Sequence, residues 1–302
     1  VSIPWFDLLA KVIPARRRGM VLGLGQAVGG IGGIGVGLLV SAALREGGPL
    51  AFPANYAALF AAASVILMLA AVALTCIREP DTQAAAKEMP SMRQVLKTMP
   101  RLLAQDRPFM RLMITRVLAG FVTVASAFYV LNATQNLGLG AQATGMFVSA
   151  QVAGSLTAGL LMGAIQGKWG PLTHIRVIAV LAMVPPIIAL ITQPLAGALG
   201  QAALYPYLAL YFFMGLELGS IGWPFFNWVL EYAPETWRPI YIGLLNTFAA
   251  LVMLAPTLGG WIAGHISYPA VFALSLTFAT LTLGMSFTLP NTRHKSGNQL
   301  KL

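Results

Sequence analysis

The chain has 302 residues, of which 57% are hydrophobic and only 9% are charged. A soluble domain carries about 25% charged residues, so this chain lacks the groups that would cover a surface facing water. The formal net charge of +10 could suggest nucleic-acid binding, but the basic residues lie between apolar runs and form no domain of their own. The single cysteine, Cys76, offers no internal disulfide and no cysteine metal site. The composition predicts a protein solvated by lipid, with no metal, cofactor or nucleic acid.

Eight long apolar segments are predicted to cross the membrane as α-helices. A helix needs roughly 20 apolar residues to span the hydrocarbon core, whereas the strands of a membrane barrel read as short alternating segments. The predicted spans are 20–44, 55–77, 112–131, 144–166, 175–193, 203–230, 239–263 and 268–289. Residues 1–13 look like the end of a ninth span. The predicted fold class is therefore all-α, a polytopic membrane helical bundle.

The distribution of lysine and arginine predicts the orientation of this bundle. If residues 11–18 are cytoplasmic and the spans alternate, every Lys and Arg except Arg45 falls on the cytoplasmic side. Loops on that side are enriched in these two residues. We therefore predict a multi-pass protein of the inner or plasma membrane with a cytoplasmic C-terminus.

The long charged connection 78–110 is predicted to be a cytoplasmic linker. Within it, residues 91–104 repeat apolar side chains at helical spacing, with basic side chains between them. This pattern predicts a helix that lies in the plane of the lipid headgroups. The alternative is an ordinary solvated connector.

Residues 4–26 align without a gap with residues 224–246, which indicates an internal repeat. The identical pairs are Pro4/Pro224, Phe6/Phe226, Pro14/Pro234, Arg18/Arg238, Gly23/Gly243 and Leu24/Leu244. Each copy lies where one predicted span ends and the next begins. Three further spans precede the second copy, so we expect about 110 residues to precede the first; the alternative is that the shorter chain is the natural product. Residues 1–77 would then be the remainder of an N-terminal six-helix bundle, and 111–302 a C-terminal six-helix bundle.

The paired turns and the segment 163–176 (GAIQGKWGPLTHIR) resemble the major facilitator superfamily of transporters. The signature of that family combines spaced glycines with an aspartate and basic residues after its second and eighth spans. The positions that fit the later copy are Gly163, Lys168, Gly170 and Arg176. Gly167 stands where the family has aspartate. The resemblance implies a twelve-helix fold in which the spans found here are the fifth to twelfth, with part of the fourth.

The resemblance also implies secondary active transport of a small organic solute by alternating access, with proton coupling as one option. No Walker loop is present, so ATP drive is not expected. Two other classes stay open, a receptor or scaffold that keeps the fold and a membrane-embedded enzyme that modifies lipids or glycans. Such an enzyme would need a cluster of acidic or histidine side chains, and the nine acidic residues are spread along the chain.

Glu217 is the acidic residue predicted to lie near the middle of a span, in the segment FFMGLELGSIGWP. An ionisable group at that depth is expensive and marks a functional site by default. We expect it to bind a proton or a coupling ion. The alternative is a structural pair with Arg116. The glycines around Glu217 and the following Pro224 predict a helix that bends there.

Other polar residues within the spans are candidates for substrate contact. They are Asn132, Gln135, Gln151, Tyr211 and Asn227. The resemblance supports Asn132, Gln135 and Tyr211, because the seventh and tenth spans of the family line its cavity. For each residue alone, a hydrogen bond between helices is the alternative.

Charged residues of the two repeated turns are candidates for a gate. Asp7 and Arg18, with Glu231 and Arg238 in the other turn, could form salt bridges that hold the cytoplasmic side shut. Exposed pairs contribute only about 0–1 kcal/mol each, and weak pairs suit a gate that must open. The alternative is that these charges only set the topology.

A ladder of glycines runs along the first span at every fourth residue: Gly25, Gly29, Gly33 and Gly37. Small residues at this spacing let helices approach closely in lipid. We expect a contact there that rearranges during transport, with static packing as the alternative. The resemblance suggests a partner motif in Pro256, Gly259 and Gly260.

Overall fold

The computed structural model describes residues 2–43, 53–77, 105–140, 142–235 and 237–292, and this part of the chain is helical without a strand. The segment 91–104, predicted to be an amphipathic helix, lies outside the described residues. The chain divides into two compact units: Val28–Thr82 is one, and Val1–Ala27 with Gln83–Leu302 is the other. The boundaries predicted at residues 77 and 111 stay a prediction.

The helices are numbered along the chain, with breaks inside several spans. They are α1 (Ser2–Val12), α2 (Ala15–Ala43), α3 (Ala54–Thr75), α4 (Arg107–Phe121), α5 (Ser126–Gln135), α6 (Gln142–Trp169), α7 (Pro171–Leu181), α8 (Val184–Thr192), α9 (Ala196–Leu199), α10 (Leu204–Leu218), α11 (Gly222–Tyr232), α12 (Arg238–Ala249), α13 (Ala255–His265) and α14 (Tyr268–Ser286). Short 3₁₀ turns at Val122–Ala125, Gly200–Ala203 and Ala250–Leu254 join consecutive helices.

Seven helical stretches of the described residues are long and apolar enough to cross a membrane. They are Ala54–Thr75, Arg107–Gln135, Ala143–Trp169, Pro171–Thr192, Ala196–Tyr232, Arg238–His265 and Tyr268–Ser286. These match the last seven predicted spans, and the first predicted span falls in α2. The prediction of a helical membrane bundle is confirmed.

Helix α3 shows why this protein needs lipid. Asn55 is its one buried residue, while Leu67 is 70% exposed and Met68 69%. A helix that is apolar on every face and open to its surroundings is stable in hydrocarbon and not in water.

The span that carries Glu217 is broken directly after it. Helix α10 ends at Leu218 and α11 begins at Gly222, so the helix is interrupted where the bend is predicted. Pro224 lies in the first turn of α11. Backbone N–H groups in that turn have no acceptor within the helix, so a proline there loses no helical hydrogen bond. The break therefore costs little in backbone hydrogen bonds.

Aromatic side chains fill the core of the larger unit at both ends. The end that carries Arg16, Arg107 and Lys168 is called the basic end below. Its cluster contains Phe109, Phe225, Trp228 and Tyr241, and the cluster towards the other end contains Tyr129, Phe147, Tyr207 and Phe272. After α14 the chain crosses the basic end, where the Trp228 indole donates to the carbonyl of Pro290 (3.2 Å) and Arg111 donates to that of Thr288 (3.2 Å).

Candidate functional site

The two repeated turns meet at the basic end. Helix α1 packs against α11 and α12, and the rings of Phe6 and Phe226 stack with centroids 4.2 Å apart and planes 16° apart. These two phenylalanines occupy equivalent positions in the predicted repeat. Contact between equivalent residues is what a two-fold axis between the copies produces. The turns therefore form one joint surface.

Arg18 and Arg238, a second equivalent pair, are buried beside this contact at 8% and 9% exposure. Arg18 donates from Nε to the carbonyl of Ile13 (2.9 Å) and from Nη2 to that of Ala10 (2.8 Å), which closes the end of α1. Burial lowers the pKa of the Arg18 guanidinium, nearby Arg238 lowers it further, and Glu231 raises it. Three of the four predicted gate residues thus lie together, while the side chain of Asp7 lies outside the described part.

Asp106, which the sequence did not single out, ties three helices together at the basic end. Its Oδ1 caps α4 by accepting from the Phe109 N–H (3.0 Å) and also accepts from the Tyr232 hydroxyl (2.7 Å). Its Oδ2 accepts from the Tyr241 hydroxyl (2.7 Å). An aspartate before Arg-Pro at a helix start is a recognisable cap signal. The two tyrosines, more than a hundred residues away, give no such signal.

We expect Asp106→Ala to destabilise the protein by about 3 kcal/mol, because it removes a helix cap and leaves two tyrosine hydroxyls without their acceptor. Tyr232→Phe and Tyr241→Phe should each lower the stability by about 1 kcal/mol, since each loses one hydrogen bond to Asp106. The melting temperature in detergent micelles measures these effects. Glu235→Ala, at an exposed carboxylate of the same end, is the control and should leave it unchanged. Equal losses in the two alanine variants would contradict the role of Asp106.

Helices α2 and α6 touch backbone to backbone through four glycines, which we call the glycine seam: Gly19, Gly23, Gly159 and Gly163. A Cβ on Gly19 would lie 2.8 Å from the carbonyl oxygen of Gly163, and one on Gly159 would lie 2.6 Å from that of Gly23. A Cβ on Gly23 would overlap the carbonyl of Gly159 outright. Glycine is therefore required at this crossing.

The predicted glycine ladder occupies other positions of the same helix. A Cβ on Gly25, Gly29 or Gly33 would meet no described atom within 4 Å. Gly37 lies in α2, but its surroundings fall outside the described part. The backbone contact of α2 with α6 is therefore made at Gly19 and Gly23, six and two positions before the ladder begins. The rearranging contact predicted at the ladder itself stays a prediction.

The second glycine motif lies at the start of α13. Pro256 falls in the first turn of that helix, after a 3₁₀ turn. A Cβ on Gly259 would overlap the Val124 carbonyl and lie 2.6 Å from the ring of Phe128. The ring is 4.0 Å from a Cβ on Gly260. Gly259 therefore lets α13 approach the broken span α4–α5.

Glu217 lies at the end of α10 and is 3% exposed. It faces a cavity of about 10 Å³, which holds about one water molecule. The other lining residues are Ala119, Val122, Ile175, Ile178, Ala179, Ala182, Ile221, Phe225, Ala279 and Thr282. The Glu217 Oε1 has no hydrogen-bond partner among the described residues. Burying a carboxyl in so apolar a space without a partner for this oxygen costs free energy, and such a residue inside a membrane span is by default a candidate functional group.

Arg116 does not pair with this carboxyl in the described structure. Its guanidinium carbon lies 5.3 Å from the centroid of the Phe225 ring, as in a cation–π contact. Its Nε is buried without a hydrogen-bond partner among the described residues. The geometry therefore gives no support to a structural Glu217–Arg116 pair.

The remaining polar candidates do not converge on one point. Asn132 donates to the hydroxyl of Tyr207 (2.6 Å), and Gln135 accepts from that of Tyr268 (2.7 Å). Tyr211 stacks on Phe147 with centroids 4.6 Å apart. These groups lie towards the end opposite the basic end.

Gln151 and Asn227 lie apart from that group. The backbone of Gln151 packs against Gly215, where α6 and α10 cross. Asn227 donates to the carbonyl of Trp223 within α11 (3.0 Å), and its Oδ1 has no partner among the described residues. Asn132, Gln135 and Gln151 thus make contacts between helices, and the substrate role of these residues stays a prediction.

Comparison with known proteins decides the family. A family model described as Major Facilitator Superfamily matches residues 3–255. The chain belongs to the major facilitator superfamily. The predicted membership is confirmed.

Two curated proteins resemble the chain over part of their length. The "Multidrug resistance protein MdtG" of Escherichia fergusonii is 27% identical over 186 residues, which are 59% of this chain and 43% of that protein. The protein of the same name from Escherichia coli O17:K52:H18 is 26% identical over 181 residues, again 59% of this chain and 43% of the relative. The chain thus matches less than half the length of these relatives.

The segment 163–176, which resembles the family signature, joins α6 to α7. Gly170 has φ +91°, a conformation that favours glycine, and it immediately precedes α7. The Lys168 ammonium lies 4.7 Å from the centroid of the Trp169 ring. Gly170 therefore makes the sharp turn, and Lys168 presents its charge at the surface of the basic end.

Proposed function

We propose that this protein is a secondary active transporter that moves a small organic solute across a membrane by alternating access. The contact between Phe6 and Phe226, equivalent residues of two repeat copies, carries this proposal. Transporters built from repeats open and close a path by rocking one repeat against the other. A surface formed jointly by both copies at one end of the bundle suits a gate that is shut at that end.

The name of the relatives supports a drug-like solute. Both are called multidrug resistance proteins, although each is matched over 43% of its length. Aromatic groups such as the stacked Tyr211 and Phe147 offer contacts suited to flat apolar compounds. We therefore assign a flat aromatic organic compound as the substrate class.

Glu217 is the group that we assign to proton coupling. Its unpartnered oxygen in an apolar cavity argues for a neutral carboxyl in the arrangement described here, since an unpaired charge in such a space is far more costly. The break between α10 and α11 beside it offers a place where the helix can move. Movement that brings the carboxyl to water would release the proton.

The experiment that tests the transport function uses the purified protein in liposomes. Ethidium and Hoechst 33342 serve as drug-like probes, with an imposed pH gradient as the driving force. We expect dye movement that requires the protein and stops when the gradient is collapsed. Protein that binds the dyes but moves none under any gradient would instead indicate a receptor or scaffold.

The basic end is proposed to be cytoplasmic, because positively charged loops are retained on that side. We expect Arg45→Cys to react with a membrane-impermeant maleimide from outside the cell and Ala86→Cys to react from inside. Both variants need Cys76→Ser, and Cys76→Ser alone is the control. Reaction of both positions from the same side would contradict the topology.

A further inference from the structure

A groove of about 320 Å³ runs beside the glycine seam between α2 and α6. The residues that line it are Arg16, Met20, Leu24, Gly159, Leu160, Gly163, Ala164, Gly167 and Lys168. Its walls are apolar, and its floor is glycine backbone that a hydrocarbon chain can approach closely. The two charged residues, one from each helix, both lie at the basic end.

The groove opens away from the contact between the repeated turns. Leu22 packs against the aromatic cluster at the basic end, on one side of α2. Met20 and Leu24 are 59% and 45% exposed, and they lie roughly 200° around the helix from Leu22. Leu160 on α6 is 59% exposed. These apolar side chains therefore face the lipid and not the gate.

The shape and charge of the groove match one leaflet of a bilayer. From Arg16 to Leu24 the helix rises about 12 Å, close to the roughly 15 Å of hydrocarbon in one leaflet. Trp169 follows Lys168 and is 53% exposed, as suits an aromatic residue at the lipid headgroups. Basic pockets between membrane helices on the cytoplasmic side bind anionic headgroups.

We propose that this groove binds one anionic phospholipid. Its phosphate lies between Arg16 and Lys168, and one acyl chain lies along Met20, Leu24 and Leu160. A free anion would use only the two charges and would leave the apolar walls without a function. The inference does not depend on transport, because it concerns an outer face of the bundle.

Native mass spectrometry of the purified chain in detergent micelles tests the proposal. Dioleoyl phosphatidylglycerol and dioleoyl phosphatidylcholine are titrated separately, and the first is expected to bind at least tenfold more tightly. The double variant Arg16→Ala/Lys168→Ala should lose roughly tenfold in affinity for phosphatidylglycerol. The control Arg17→Ala/Arg107→Ala removes the same charge from the same end but outside the groove, and it should bind as the unmodified protein does.

A second variant separates a lipid from a bare anion. Ala164→Phe fills the groove at an exposed position without changing the charge, and it should also weaken phosphatidylglycerol binding about tenfold. Equal binding of the two lipids would overturn the proposal, and so would equal losses in the two double variants. The proposal would also be overturned if millimolar inorganic phosphate displaced phosphatidylglycerol while Ala164→Phe bound this lipid as tightly as the unmodified protein. That result would identify a site for a free anion.

Discussion

Glu217→Gln is expected to abolish the response of solute movement to an imposed pH gradient. The amide has the shape of the neutral carboxyl and keeps a hydrogen-bonding group, but it cannot release a proton. Gradient-driven dye movement in liposomes should therefore fall at least tenfold. Exchange of labelled for unlabelled dye without a gradient should continue, because it needs no net proton transfer.

The control for this experiment is Glu235→Gln, which changes an exposed carboxylate at the basic end. It should move dye as the unmodified protein does. The melting temperature of Glu217→Gln should stay within a few degrees of the original, because the described residues around the cavity offer no charge partner for the carboxyl. Gradient-driven movement that survives in Glu217→Gln would remove Glu217 from the coupling mechanism.

Gly23→Ala is expected to destabilise the protein by about 2 kcal/mol, whereas Gly25→Ala should be neutral or stabilise it by about 0.5–1 kcal/mol. The added methyl at residue 23 overlaps the Gly159 carbonyl, so α2 and α6 must separate. At residue 25 the methyl meets no described atom within 4 Å and only improves helix propensity. The melting temperature in detergent should therefore fall for Gly23→Ala and should rise or stay unchanged for Gly25→Ala.

The glycine seam also predicts how two substitutions combine. Gly159→Ala alone should be destabilising, since its Cβ would lie 2.6 Å from the Gly23 carbonyl. Once one added methyl has separated the helices, a second methyl has less to displace. The double variant Gly23→Ala/Gly159→Ala should therefore lose less stability than the sum of the losses in the two single variants. Additive losses, or an equal loss in Gly25→Ala, would show that α2 and α6 do not depend on this crossing.

The spans could be predicted from the sequence because membrane insertion depends on a local property, the length of apolar chain. The interruption of the helix after Glu217 was predictable for a similar reason, since Gly219, Gly222 and Pro224 follow it within two turns. The glycine ladder shows the limit of this reasoning. Glycines at regular spacing predict that α2 can approach a neighbour, but which face does so depends on α6, and that face carries Gly19 and Gly23.

Asp106 shows a second limit. Its place before Arg107 and Pro108 predicts a helix cap, but its bonds to Tyr232 and Tyr241 exist only once α11 and α12 are packed beside α4. Glu217 differs again. Its place within an apolar segment is visible in the sequence. The apolar lining from α4, α7, α11 and α14, and a described structure in which Arg116 lies on Phe225, follow from tertiary packing.

The stacked phenylalanines at the meeting of the two turns place a constraint on how this protein can diverge. Phe6 packs against Phe226, its counterpart in the predicted repeat, so the two predicted copies contact each other through equivalent residues. A smaller side chain at one of these two positions leaves a gap, and the side chain at the other position is the one placed to fill it. Among related proteins we expect the side chains at positions 6 and 226 to change size in opposite directions. A smaller side chain at one position should accompany a larger one at the other, so that the summed volume of the pair is kept.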